Sequence, residues 1–318
     1  MTSIKAVVVD PDAPGRLAIS EVEAPEPTPC EAVVRVHTTS LNLGDVYRIP
    51  YVEAGWRPGW DLAGVVERAA ADGSGPGEGA RVLGLRGSRF GAWGETVAVP
   101  TEWLAELPAE VSFAQAATLP TCGLTALYAL ERAGFLLNRT VLVTGASGGL
   151  GHFVTQLAAR SGAYVVAGVR RPERADAVRE SGATEVVVGE DLTAAREFGP
   201  YDVIVDQLGG EPLAQVLPLL VPGGLAVTLG ISAGTETKLN LAQLFAGVGG
   251  VELAQLVLFT ELERRRAAAG LAALARMVAE DRLRPAIGVE ASWTEIGKVA
   301  QQFVDRGIAG KAVLHFTP

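Results

Sequence analysis

Residues 145–151 read GASGGLG, set between the apolar run VLVT and the segment HFVTQLAAR. Branched apolar residues before the glycines and an amphipathic run after them predict a strand, a tight turn and a helix. In such a unit Gly145 begins the turn, Gly148 lets the backbone approach a pyrophosphate, and Gly151 lets helix and strand pack closely. The helix start offers unpaired N–H groups and the positive end of a dipole, and Ser147 adds a hydroxyl donor. A glycine pattern alone carries little weight. Here it follows a strand and heads a strand–helix series, which points to a bound dinucleotide rather than a structural tight turn.

The alternation continues outward. Strand-like TVLVTG, AYVVAGV, TEVVVG, YDVIVDQ, GLAVTLG and VELAQLVLF are separated by helix-like GGLGHFVTQLAARSG, PERADAVRESG, DLTAAREF and EPLAQVLPLLVPG. Near-continuous apolar strands with intervening helices predict a parallel sheet covered on both faces, and six strands fit two mononucleotide-binding halves. Before residue 110 the texture differs. IKAVVVD, EAVVRVHTT, LAGVVERA, ARVLGL and ETVAVP are short runs divided by Pro and Gly, the pattern of a mostly β domain. PAEVSFAQAATLPTCGLTALYALERAG reads as helical with a break near Pro120. ERRRAAAGLAALARMVAEDRLRP and WTEIGKVAQQFVDRG read as helices, and GKAVLHF as a last strand returning to the first domain. The expected fold class is α/β, with one domain over residues 1–121 and 258–318 and the other over 122–257.

The chain of 318 residues is long enough for two cores. Its net charge of -9 argues against nucleic acid as a partner. No apolar run has the length of a membrane span, and the N-terminal MTSIKAVVVDPDAPG lacks the features of a secretory leader. Cys30 and Cys122 are too few for a cysteine zinc cluster, and His37, His152 and His315 are scattered. The expectation is therefore a cytoplasmic protein with no metal, no membrane segment and a small-molecule partner.

The dinucleotide can be read from charge. NAD sites usually carry an acid about 20 residues past the loop, to hold the ribose 2′-hydroxyl. No acidic residue lies between Gly148 and Pro172, and the second strand ends in VRRPER, which supplies Arg170, Arg171 and Arg174. Guanidinium groups grip phosphate through paired hydrogen bonds, so the pattern favours the 2′-phosphate of NADP(H) over a merely solvated basic turn. VTGASGGLG also resembles the opening loop of the short-chain dehydrogenases, which use a Tyr-x-x-x-Lys pair. After the loop the tyrosines are Tyr164 and Tyr201, followed four residues later by Gly168 and Val205, so that reading fails.

NLGDVY (42–47), RPGWDLAGVV (57–66), GAWGETVAVP (91–100), ATLPTCGLTAL (117–127), VTGASGGLG (143–151), VDQLGG (205–210), LVPGGLAVTLG (220–230) and GKAVL (310–314) run in order over nearly the whole chain. Together they resemble the medium-chain dehydrogenase/reductase superfamily, and within it the zinc-free quinone oxidoreductase branch. The resemblance implies a GroES-like β-rich catalytic domain and a Rossmann domain with a doubly wound six-stranded parallel sheet. Where zinc-dependent relatives place a Cys, a His and a second Cys, this chain has Asn42, Trp60 and Thr121, with Cys122 one place late; their four-cysteine lobe is missing.

Without a Lewis acid, the chemistry implied is hydride transfer from NADPH to a quinone or an α,β-unsaturated carbonyl, whose developing charge is delocalised. The resemblance puts Asn42 beside nicotinamide and substrate, and Thr121 at the start of the interdomain helix facing the cofactor. Tyr47 and Tyr51 are candidate hydrogen-bond or proton donors, and Asp45 a turn or cap residue. On the cofactor side it adds Gly149 and Leu150 beside the phosphate loop, Gly209 with Gly210, and Gly230 with Ile231. Lys311 either approaches the cofactor or closes the return strand. Two departures, Ile49 (beside Arg48) for a family Arg and Gly189 for a polar ring, add weight to the arginine reading. The loop VYRIPYVEAGWR (46–57) is the least family-like part and would set substrate shape.

Two other functions stay open. One is an enoyl-thioester reductase acting on coenzyme A or carrier-protein substrates, for which Glu263-Arg264-Arg265-Arg266 is a candidate basic patch. The other is a non-catalytic NADPH-binding sensor or structural protein. A homodimer, paired through the stretch at residues 251–258, is expected from the resemblance.

Overall fold

The computed structural model describes residues 2–242, 244 and 250–316. The chain forms two units, Met1–Leu124 with Phe259–Pro318, and Thr125–Leu258. Strands are numbered β1 to β15 along the chain. The first unit holds β1 (Ser3–Val9), β2 (Leu17–Glu23), β3 (Glu31–Leu41), β4 (Asp61–Arg68), β5 (Arg81–Leu85), β6 (Thr96–Pro100), β7 (Leu104–Glu106), β14 (Ile287–Ser292) and β15 (Lys311–His315). The second holds β8 (Thr140–Val143), β9 (Tyr164–Val169), β10 (Glu185–Val188), β11 (Tyr201–Asp206), β12 (Leu220–Thr228) and β13 (Glu252–Gln255).

In the first unit β1 and β2 form an antiparallel pair. The main sheet runs β14-β15-β3-β4-β5-β7, with β6 also paired to β3. β3 carries the most pairing and is buried along nearly its whole length, around a core that includes Val34, Val36, Leu62, Val82, Trp93 and Trp293. The return strand is where it was expected. β15 lies antiparallel to β3, with Ala312 opposite Leu41, which brings Lys311 level with the start of the NLGD turn. β4 lies on the other side of β3 and begins at Asp61. Register alone therefore gathers Leu41, Asn42, Asp61 and Lys311 at one end of three adjacent strands.

In the second unit the order is β10-β9-β8-β11-β12-β13, every pair parallel. This is the 3-2-1-4-5-6 order of a doubly wound dinucleotide sheet. Its interior is apolar, with Leu142, Val166, Ile204 and Ala226 at zero exposure. The hydroxyl of buried Tyr201 donates to the Ala195 carbonyl, so its polar tip is satisfied.

Several elements differ from the sequence reading. β2, β7 and β14 were not expected, because LAISEVE, LAE and IGVEAS are short and expose alternate residues. VELAQLVLF divides into β13 and a helix, Leu258–Leu262. β12 starts at Leu220, inside the stretch read as helical. The basic run Glu263–Arg266 precedes its helix, Ala267–Ala279, rather than lying on it, and Arg265 pairs with Glu261 at 3.0 Å. Pro120 does break the long helical segment. A π-helical turn at Leu119–Gly123 joins the helices Phe113–Ala117 and Leu124–Ala133. Such turns often mark functional positions. Among the described residues, no helix is long and apolar enough to cross a membrane.

Candidate active site

A buried ammonium organises the first unit. Lys311 is 1% exposed, and its Nζ donates to the Leu41 carbonyl at 2.9 Å and to Asn42 Oδ1 at 2.6 Å. Asp61 Oδ2 stands 3.5 Å away and supplies the countercharge that a buried cation requires. The Asn42 amide is thereby fixed: its oxygen faces Lys311, and its Nδ2 donates to Asp61 Oδ2 at 2.9 Å and Asp45 Oδ2 at 3.0 Å. The same cluster takes in Ser40 Oγ, which donates to Asp61 Oδ2 at 3.0 Å. Thr121 donates to Asp61 Oδ1 through its backbone N–H at 2.9 Å and its hydroxyl at 2.5 Å. Cys122 Sγ donates to Asn42 Oδ1 at 3.4 Å and lies 3.7 Å from Lys311 Nζ. The π-turn serves this arrangement, since it turns Thr121 and Cys122 together toward the carboxylate and the amide.

The residues singled out from sequence are divided by this geometry. Asn42 and Thr121 belong to the cluster. Asn42 commits both amide hydrogens inside it, and Thr121 is bound to Asp61. Tyr47 and Tyr51 do not belong to it. They sit on the helix Leu43–Arg48 and the turn after it, 37% and 87% exposed, with no hydrogen bond to either hydroxyl among the described residues. Lys311 stands at the start of the return strand and belongs to the cluster. Asp61, Ser40 and Cys122 were missed as cluster members. Asp61 was visible as the acid of Gly59-Trp60-Asp61, but its partners come from β3, β15 and the π-turn, which no local pattern joins. Trp60 itself is buried against Phe259 and Phe90, with ring centroids 4.9 and 5.6 Å away.

The second unit places its glycine loop at the carboxyl edge of the sheet. β8 ends at Val143, and the loop passes through Gly145 at φ 62° to the helix Gly149–Arg160. A side chain at Gly151 would put its Cβ 2.4 Å from the Gly145 carbonyl oxygen, so the close helix–strand contact depends on glycine there. The Ala146 N–H donates to the Gly168 carbonyl at 3.0 Å, tying the loop to the end of β9. Arg170, Arg171 and Arg174 follow directly. Arg174 is held below the ordinary arginine value by burial and then by the charges of Arg171 and Arg170, so the three guanidiniums form one positive cluster. Ser147, Gly148, Gly149 and Leu150 are half-buried at the head of the helix.

Across the sheet, buried Asp206 accepts the Thr144 hydroxyl at 2.6 Å and the Gly209 N–H at 2.9 Å. This carboxylate braces the ends of β8 and β11 and was not expected from sequence. Burial pushes its pKa up, and the hydrogen bonds from Thr144, Gly209 and Leu208 oppose that shift. Gly209 bridges to Gly234, and Ser232 Oγ donates to the Gln207 carbonyl at 3.0 Å, which holds Gly230 and 61%-exposed Ile231 along the same edge. The glycine loop, the arginine cluster, Gly209, Gly230 and Ile231 thus share one sheet edge, where ligands of doubly wound sheets bind.

Asp45 carries the strongest electrostatic signature. Its Oδ2 accepts the Asn42 backbone N–H at 3.1 Å as well as the side-chain amide, while its buried Oδ1 has no partner among the described residues. Burial first, and the Asp61 charge second, raise its pKa well above 3.8; Asn42 and Lys311 act the other way. The folded protein therefore retains a proton that the unfolded chain has released. The associated stability is full below 3.8 and is lost as pH rises through the folded value. Replacing Asp45 with Asn, which keeps the shape and cannot ionise, is expected to flatten the loss of stability that sets in as pH rises above 3.8. Denaturation followed by tryptophan fluorescence would report it, because all five tryptophans lie in the first unit. A slope unchanged from wild type would assign the proton to another group.

Comparison with known proteins accords with both units. Residues 28–109 match the alcohol dehydrogenase GroES-like domain, and residues 149–268 match the zinc-binding dehydrogenase family. The acrylyl-CoA reductase of Ruegeria pomeroyi is 31% identical over 252 residues, covering 72% of this chain and 75% of that protein. A quinone oxidoreductase of Pseudomonas aeruginosa is 31% identical over 244 residues, covering 73% and 74%. The native structure of a mycobacterial protein complexed with NADPH matches the fold with a TM-score of 0.87 at 24% identity, over 98% of this chain and 99% of that one. The chain belongs to the medium-chain dehydrogenase/reductase superfamily, in its quinone oxidoreductase-like branch.

Proposed function

We propose that the protein is an NADPH-dependent oxidoreductase that reduces quinones or α,β-unsaturated carbonyl compounds without a metal ion. The observation that carries the reading is the Lys311 ammonium among Asn42 Oδ1, Asp61 Oδ2 and Cys122 Sγ. A zinc site needs anionic or imidazole donors around an open position. Here the donors include a neutral amide and a thiol whose pKa is raised by burial, and a cation already stands beside them. Asn42, Trp60 and Thr121 occupy the positions of the family ligands. This set does not fit zinc, so no step is assigned to a metal. Conjugated acceptors suit such a site because they need less polarisation than simple carbonyls.

The second unit supports NADP(H) as the cofactor. The head of the helix Gly149–Arg160 and the Gly145–Gly151 turn would take the pyrophosphate, and Arg170, Arg171 and Arg174 the 2′-phosphate. When bound, NADPH supplies the hydride. Asn42, held in one orientation by Lys311, Asp45 and Asp61, is the proposed positioning group on the substrate side. With its amide hydrogens engaged, the unbonded hydroxyls of Tyr47 and Tyr51 are the proposed donors to the developing oxyanion. Cys30 and Cys122 are both free thiols, which suits the cytoplasm. β13 is the outer strand of its sheet, with Leu253 49% and Val257 45% exposed, and is the proposed homodimer edge.

NADPH oxidation followed at its absorbance band, with a small quinone and a short enoyl-CoA side by side, tests the reading. Turnover of either that survives chelation supports it, and preference for the thioester favours the acyl-CoA reductase alternative suggested by the Ruegeria relative. NADPH binding without turnover of either acceptor would favour the sensor alternative. Changing Arg170 and Arg171 together to Ala is expected to weaken NADPH binding by about 2–4 kcal/mol while NADH binding hardly changes. Equal losses for the two nucleotides would remove the arginines from the 2′-phosphate.

A further inference from the structure

A second cationic site lies in the first unit, apart from the buried cluster. A pocket of about 110 Å³ is lined by Arg57, Arg86, Arg89, Phe90, Gly91 and their neighbours. The volume suits a small anion or one arm of a larger ligand. The three guanidiniums differ in how they are held. Arg86 is tied to the backbone, donating to the Phe90 carbonyl at 2.8 Å and to the Ala98 carbonyl. Arg89 pairs with Glu31 and lies over the Trp103 ring at 5.7 Å. Arg57 makes no hydrogen bond or ion pair among the described residues, and its Nε is buried without a partner. A fourth guanidinium, Arg48, lies over the Phe90 ring, 5.1 Å from its centroid.

This arrangement is costly without a ligand. Burial holds Arg57 below the ordinary arginine value, and no carboxylate among the described residues pairs with it. Arg86 is lowered by burial and by the charges of Arg89 and Arg57, with Glu31 opposing. Glu31 is the carboxylate that pairs with this group, and its other oxygen is taken by the Thr28 N–H and hydroxyl at 2.8 and 2.9 Å. Three clustered guanidiniums thus face a pocket with one countercharge, in a chain whose net charge is -9. Partly buried cations in this state are stabilised by an incoming anion, and guanidinium forks match phosphate oxygens in particular.

We infer that the Arg57–Arg86–Arg89 pocket binds a phosphate group, carried on the handle of a thioester substrate or present as a free ion. The first source rests on the reductase reading above. Phe90 joins the pocket to that region, since its ring contacts Trp60, the residue before Asp61.

The test uses the full chain saturated with NADP+, so that the cofactor site is filled. Inorganic phosphate and coenzyme A are titrated separately at constant ionic strength, with chloride as the control, and tryptophan fluorescence is read. Trp56 and Trp60 flank Phe90, and Trp103 lies under Arg89, so three of the five tryptophans report on the pocket. A saturable change is expected, with an apparent affinity about ten-fold weaker in Arg57→Met and largely restored in Arg57→Lys. Met keeps the apolar stem, and the variant's unfolding midpoint checks that it folds. No saturable response to either probe, or an equal response in wild type and Arg57→Met, overturns the proposal. This readout needs no turnover, so it stands apart from the reductase reading. Where crotonyl thioesters are reduced, a KM about ten-fold higher in Arg57→Met for crotonyl-CoA but not for crotonyl-pantetheine identifies the substrate handle. Unchanged KM values with the phosphate response lost identify a free ion.

Discussion

The ammonium of Lys311, buried with Asp61 as its countercharge, is the constraint on which the first unit's site depends. A buried charge must be paired and hydrogen-bonded, or it costs several kcal/mol. Lys311 meets that condition only because β15 lies beside β3 and β4 lies on its other side, so strand pairing and the charge cluster require one another. From the ammonium the remaining orientations follow. Asn42 must turn its oxygen to Lys311, which sends its amide hydrogens to Asp45 and Asp61. Asp61 then offers its other oxygen to Thr121 on the π-turn. Two carboxylates now face one amide, and burial together with the Asp61 charge pushes the Asp45 pKa up.

The second unit solves a different problem. It must present backbone N–H groups and positive charge at a sheet edge while keeping the strands in register. The Thr144–Asp206 hydrogen bond ties β8 to β11, and the Ala146–Gly168 bond ties the loop to β9. The three arginines after β9 repel one another, a cost that a bound phosphate would remove. The Arg57 pocket repeats this logic in the first unit with unrelated residues.

Much of this architecture could be read from the residues. The dinucleotide sheet was legible because each strand is a short apolar run bounded by turn residues, and because the glycines of 145–151 follow a strand and open a helix at the head of that series. The C-terminal return to the first domain was legible as the strand-like run GKAVLHF after the last helix. β2, β7 and β14 were not, because short half-exposed strands lack a periodic signal strong enough to separate them from loops. The site was half legible. Asn42, Thr121 and Lys311 were noticed singly, but their convergence depends on register between segments as much as 270 residues apart. Arg57, Arg86 and Arg89 look like ordinary surface charge in sequence. Only tertiary structure shows that the buried Nε of Arg57 lacks a partner among the described residues.

The central claim is that this chain moves a hydride from NADPH to a conjugated acceptor with its own residues and no metal. Metal-depleted protein incubated with NADPH deuterated at C4 of the nicotinamide and a conjugated enone tests it directly. The account predicts deuterium at the β-carbon of the reduced product, at a rate unaffected by adding zinc. Absence of deuterium at that carbon, or transfer that appears only when zinc is restored, would contradict it.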